Sequence, residues 1–218
     1  MTPTYAKALA GKPDRRLILL GMGMLPLTAC STIFSLPGQG PRPEVFDLRG
    51  AIPQTPATGP KFNLQLGVLE PAAANGLNID RIAVRPVARR IDYYANALWT
   101  DRAPAMLQSL LLQSLNATGR IAAARVGALA ADVNLRSELD AFDAIVEGGG
   151  PPRIEIAWRF ELVRPMQGRV AAVRVVSESE QAAGTDVPAV VQAYEAALRR
   201  ALSEAVAFVF DELPAFKL

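Results

Sequence analysis

Ile154-Glu155-Ile156-Ala157-Trp158-Arg159-Phe160-Glu161-Leu162 alternates apolar residues with charged or small ones. Successive side chains of a strand point to opposite faces, so this stretch has one apolar and one polar face and reads as a half-buried strand. Pro165-Met166-Gln167-Gly168 is a short turn sequence, and valine-rich residues 170–179 follow it. The two runs predict an antiparallel hairpin. Residues 133–146 predict a third antiparallel strand, joined to the hairpin through Gly148-Gly149-Gly150-Pro151-Pro152. A phosphate-cradling loop would open a helix with Lys and Ser/Thr after its glycines. Here two prolines and a strand follow, so the glycines are a connection.

Downstream, Asp186 is placed to cap a long helix with Pro188 in its first turn. Val187, Val191, Tyr194, Leu198, Leu202, Ala205 and Val209 step by three and four, giving one apolar face that ends near Pro214. Upstream, Thr100-Asp101 is a helix start with Pro104 in the first turn. Ala103, Leu107, Leu110, Leu111 and Leu115 then form a core-facing stripe, and Gly119 ends the helix. Before it, Phe62, Leu64, Leu66 and Val68 alternate as a strand, and Pro71 to Gly76 is a loop. Residues 79–87 form another strand, with Ile82 and Val84 inward and Pro86 at its end. Residues 89–94 form a further one, followed by a weak turn at Asn96-Ala97. Val45-Phe46-Asp47-Leu48 is a strand-like island suited to an edge. The fold class is α+β, one antiparallel or mixed sheet packed by two main helices.

A chain of 218 residues, half apolar, supports one core rather than two. The absence of histidine removes Ser-His and Cys-His catalysis and His-based metal sites, and a single cysteine excludes an internal disulfide. Glu155 and Glu161, like Glu178 and Glu180, lie on polar strand faces and read as solvated rather than as an acid/base pair in a cleft. The expectation is a protein without catalytic residues, metal or cofactor. Arg81, Arg85, Arg89 and Arg90 form a dense basic cluster beside Tyr93, Tyr94 and Trp99. Two readings stand for it. The arginines protect a strand edge from aggregation while the aromatics cover a core, or the seven residues contact anionic headgroups or an acidic partner.

The first 30 residues have the order of an export signal. A basic segment ends in Arg15-Arg16, an apolar run spans Leu17 to Leu27, and Leu27-Thr28-Ala29-Cys30 matches the bacterial lipoprotein box. As a helix the apolar run would rise about 16 Å, roughly half of a bilayer's hydrocarbon core. An uncleaved anchor and twin-arginine export are the competing readings. The resemblance to lipoprotein signals implies cleavage before Cys30 and its acylation. The leader holds four cations and one anion, so removing its net +3 from the total of +2 leaves −1. Bulk charge therefore does not point to nucleic acid. Residues 31–60 are rich in Pro and Gly, the composition of a semi-rigid tether. The expected organisation is a signal peptide over 1–29, the lipidated Cys30 and tether over 30–60, and a single α/β domain over 61–218.

A lipobox and Pro-rich tether, Phe46-Asp47-Leu48, Ile82-Ala83-Val84-Arg85-Pro86, and Tyr93-Tyr94-Ala95-Asn96-Ala97-Leu98-Trp99-Thr100-Asp101-Arg102 leading into a Leu-rich helix together resemble the auxiliary lipoproteins of ABC-type transport systems. These accompany mammalian-cell-entry (MCE) domain proteins and their transporters, including the paraquat-inducible type. The resemblance spans roughly Glu44 to Leu213. It implies a periplasmic domain similar to the N-terminal domain of TolB, and an accessory role in moving phospholipid or other lipophilic molecules across the envelope. The implied partners are the membrane through acylated Cys30, an MCE-domain protein and ABC transporter components. A homo-oligomer is compatible with it, and nucleic acid is not among the partners. Ser31 after the cysteine, by resemblance to sorting rules, implies the periplasmic face of the outer membrane. The alternative is a TolB-like lipoprotein that activates a cell-wall synthase or another envelope complex.

Overall fold

Residues 153–164 form the strand that the alternation demands: Ile154, Ile156, Trp158, Phe160 and Leu162 are buried, and the residues between them are half-buried. The computed structural model describes residues 42–53, 58–87, 90–128 and 130–216. The signal segment, Cys30, residues 31–41 and 54–57 of the tether, and Arg89 lie outside the described residues. The strands are β1 (Glu44–Phe46), β2 (Gln65–Val68), β3 (Ala72–Ala73), β4 (Arg81–Val87), β5 (Arg90–Trp99), β6 (Ala122–Arg125), β7 (Val133–Ile145), β8 (Arg153–Arg164) and β9 (Arg169–Gln181). The helices are α1 (Ala103–Ala117) and α2 (Val187–Glu212), and 3-10 turns cover Arg49–Ala51 and Leu213–Phe216.

All nine strands among the described residues belong to one mixed sheet built around β7. β8 runs antiparallel to β7 along its length, and β9 runs antiparallel to β8. The opposite side of β7 takes β2, β3 and β4 in succession, all parallel to it. β6 extends the sheet beyond β2, while β5 and then β1 extend it beyond β4. The expected strand at 45–48 is thus β1, on an edge.

The apolar stripes of the two helices meet the sheet in a single core. Leu107, Leu110, Leu111 and Leu115 of α1 are buried with Tyr194, Leu198, Leu202, Ala205 and Val209 of α2. Asp186 caps α2 as predicted, its carboxylate accepting from the Ala189 N–H at 2.9 Å.

Four local expectations are corrected. Pro86 does not end its strand: β4 continues to Val87, because the pairing with β5 is irregular between Val84 and Val87 and a residue without an N–H is tolerated there. Asn96-Ala97 is not a turn. β5 runs on to Trp99, and Asn96, at φ 55°, sits where six β5 residues (93–98) span the pairing of three on β4 (81–83), a bulge that Asn's tolerance of left-handed backbone permits. Helix α1 has Arg102 rather than Thr100 or Asp101 at its N-cap, with no side-chain cap; Asp101 accepts instead from the Arg102 N–H at 2.7 Å. The loop at 71–76 contains β3, and the four-residue β6 lacks any alternation that would reveal it, reading Ala-Ala-Ala-Arg.

Candidate functional site

Alternation along β4 puts Arg81, Ala83 and Arg85 on one face, and the register of β5 places Tyr93 beside Ala83. The Arg81 guanidinium lies over the Tyr93 ring, 4.7 Å from its centroid, and the Tyr93 hydroxyl donates to the Gly76 carbonyl at 3.1 Å. Tyr93 is therefore held from both ends. Arg81 pairs with no carboxylate among the described residues, which leaves its guanidinium edge available to an oxyanion.

Arg85 differs from its neighbour. It donates to Asp143 of β7, whose side chain is fully buried while Arg85 keeps about a third of its own exposed. Burial pushes the Asp143 carboxyl above the usual range, Arg85 opposes that shift, and Glu155, opposite it on β8, adds to the rise. Asp143 Oδ1 and Arg85 Nε are buried without a hydrogen-bond partner, so the pair is incompletely satisfied. Asp143 was not singled out from the sequence. The available signal was a carboxylate inside the apolar run Ala141-Phe142-Asp143-Ala144-Ile145.

Arg90 turns back on Asp92 of its own strand, Nε donating to Oδ2 at 2.9 Å, and is spent locally. Tyr94 is half-buried and burial raises its hydroxyl pKa. Trp99 leaves the surface group altogether. It is 2% exposed, meets Tyr194 edge-on at 5.2 Å and lies 5.9 Å from Phe142, so it is a core residue. The bulge in β5 is the reason: the irregular stretch separates the exposed early positions of the strand from Ala97 and Trp99, which are buried. The structure thus brings together Arg81 and Tyr93, turns Arg85 to Asp143, ties Arg90 to Asp92, sets Tyr94 half inside and withdraws Trp99. Arg89 lies outside the described residues.

The expected solvated carboxylates are engaged as well. Arg200 of α2 pairs with Glu178 at 2.6 Å and Glu180 at 2.9 Å, fastening the helix to β9. Glu155 pairs with Arg153, and Glu161 faces Arg136 at 3.9 Å. On the helical side a groove of about 440 Å³ has Ala117, Val206 and Phe210 in its wall, with the Arg120 guanidinium 4.0 Å from the Phe210 centroid. Among the described residues no group of three or more His, Cys, Asp or Glu could hold a metal ion, and no helix is long and apolar enough to cross a membrane.

The fold defines the class: an α+β domain with a mixed sheet and two helices sharing one core. The family of ABC-type transport auxiliary lipoprotein components matches residues 46–207, well over half of the chain, and the chain belongs to that family. The family is a transport-auxiliary one rather than a catalytic one, and its lipoprotein character places the chain with the cell envelope. The crystal structure of protein XCC0632 from Xanthomonas campestris is similar, with 28% identity and a TM-score of 0.67 over 77% of this chain and 92% of that one. An uncharacterized protein of known crystal structure shares the fold at 15% identity and a TM-score of 0.61, covering 78% of this chain and 99% of its own. No curated protein matches the sequence.

Proposed function

We propose that this chain is a lipid-anchored accessory subunit of an ABC/MCE-type system that moves phospholipid or other lipophilic molecules across the envelope. It is held on the periplasmic face of the outer membrane by acylated Cys30. The observation that carries this reading is the family match over residues 46–207, preceded in the same chain by the Leu27-Thr28-Ala29-Cys30 lipobox. Two or more acyl chains give durable attachment where one is marginal, because each buried CH₂ contributes about 0.8 kcal/mol. Arg81 on Tyr93 supplies a positioned cation for an acidic partner surface or a lipid headgroup. The fold itself is read as similar to the N-terminal domain of TolB.

The test is envelope fractionation and mild crosslinking of the wild type beside Cys30→Ala. The wild type is expected in the outer-membrane fraction and to recover an MCE-domain or ABC component. The variant is expected to be folded and released. Persistence of Cys30→Ala in the outer membrane at high salt would sink the anchor. Recovery of a cell-wall synthase in place of any transporter component would favour the TolB-like activator.

A further inference from the structure

The groove on the helical side lies between the C-terminal turns of α1 and α2. At about 440 Å³ it falls within the range, roughly 300–1,000 Å³, of small-molecule sites. Ala117, Val206, Ala207 and Phe210 make its wall apolar, and the hydroxyls among them do not change that. Ser114 donates to the Leu110 carbonyl at 2.8 Å, Thr118 to that of Leu115 at 2.6 Å and Ser203 to that of Arg199 at 2.8 Å. Each hydroxyl proton is spent on the preceding turn.

Two charges line the same groove. Arg120 is half-buried and fixed from several sides: Nε donates to the Pro60 carbonyl at 3.1 Å, and the guanidinium lies over the rings of Phe62 and Phe210, 5.7 and 4.0 Å from their centroids. Gly59 leaves it room, since a Cβ there would stand 2.8 Å from Nη2. None of these contacts is an anion, and among the described residues Arg120 pairs with no carboxylate. Its two terminal nitrogens stay available. Asp211, exposed on the same groove, pairs with no cation among the described residues.

An occupant therefore meets three demands. An apolar body is needed to displace water from the wall. An oxyanion is needed at Arg120, whose planar fork suits phosphate. A cation is needed as well, because an anionic head alone would face Asp211. A peptide would bring amide groups that the spent hydroxyls leave unpaired, whereas an acyl chain brings none.

We infer that this groove binds a phospholipid with a phosphoethanolamine head, Arg120 taking the phosphate, Asp211 the amine and the helix walls an acyl chain. As the ligand site of a lipid-moving system it rests on the transport reading, whereas binding itself is measured on the isolated chain, so the two fail separately.

The experiment titrates the full chain bearing Cys30→Ser with lysophosphatidylethanolamine below its micelle concentration, by calorimetry. Uptake by the apolar leader is common to every variant, so differences between variants report the groove. The parent is expected to saturate in the groove at one lipid per chain. Ala207→Trp, which fills the groove from an exposed position, is expected to weaken binding at least about tenfold at an unchanged melting temperature, and Ala117→Trp to do the same from α1. The parent is expected to bind lysophosphatidylglycerol and an uncharged monoacylglycerol of equal chain length at least about tenfold more weakly. Asp211→Asn, at an exposed position, should erase the preference over lysophosphatidylglycerol. Binding unmoved by both tryptophans, equal affinity for the three lipids, or a preference that survives Asp211→Asn would each overturn the inference. So would a groove filled by a second copy, seen as a dimer that Ala207→Trp dissociates and no lipid taken up. None of these outcomes alters the fractionation and crosslinking that test the transport reading.

Discussion

Arg85 and Asp143 form an ion pair between β4 and β7 in which the carboxylate is fully buried and the guanidinium is one-third exposed. The asymmetry decides how the pair responds to pH. Asp143 bears the desolvation, and Arg85 offsets only part of it.

The folded-state pKa of Asp143 is raised, so the folded protein holds this proton more tightly than the unfolded chain does. Below the unfolded value, near 3.8, both states are protonated and the site is neutral in effect. As pH rises through the window between the unfolded and folded values, the unfolded chain ionises freely while the folded protein keeps the proton on the buried Asp143, so stability falls. Asp143→Asn removes that cost. Urea melts from pH 3 upward are expected to show wild type losing stability relative to the variant across that window. A difference that is flat with pH or of opposite slope contradicts the assignment.

Trp99 is bracketed by Tyr194 and Phe142, so its truncation opens a core cavity. Trp99→Ala is expected to cost about 3–5 kcal/mol. Chemical denaturation checks it. A partner-contact residue would behave in reverse, losing binding at unchanged stability.

Arg81→Glu tests the surface group. Because Arg81 holds no carboxylate among the described residues but lies over the Tyr93 ring, the substitution should cost only about 0.5–1 kcal/mol of stability. Retention on anionic vesicles, or crosslinking to the transport partner, should fall. Unchanged retention in both assays removes Arg81 from the contact surface.

Gly67 sits where a Cβ would come within 2.5 Å of Asn134 Oδ1 and 2.9 Å of the Ala131 Cβ. Its backbone is not in the left-handed region, so the constraint is space. Gly67→Ala is expected to destabilise by about 1–3 kcal/mol through overpacking, read as a lowered melting temperature.

Asp186→Ala removes the hydrogen bond to the Ala189 N–H that starts α2. The expected cost is about 1 kcal/mol. Asp186→Asn, which keeps an acceptor oxygen, should recover most of it in the same melt.

Much of the sheet and both helices were legible because their signals are local. The alternation of residues 154–162, the three-and-four stepping from Val187 to Val209 and the Asp186 cap follow from backbone geometry within a few residues. β6 was not legible, because Ala-Ala-Ala-Arg carries no pattern and becomes a strand only by lying beside β2. Of the site, the arginine cluster could be seen as composition but not as geometry. Arg81, Arg85 and Arg90 read alike in sequence; the structure gives the first an aromatic ring, the second a buried carboxylate 58 residues away and the third its own near neighbour.

By itself, then, the amino-acid order determined both helices and the longer strands, which faces are apolar, that no histidine chemistry operates, and that a lipobox precedes the domain. Those properties depend on residue type and short spacing. Only the tertiary structure decided that β7 is the centre of a mixed sheet, that Trp99 is core, that Asp143 is the counter-charge of Arg85, and that β9 is left with an open edge. Each of these depends on which distant segment arrives alongside, and that is settled by burying one common core.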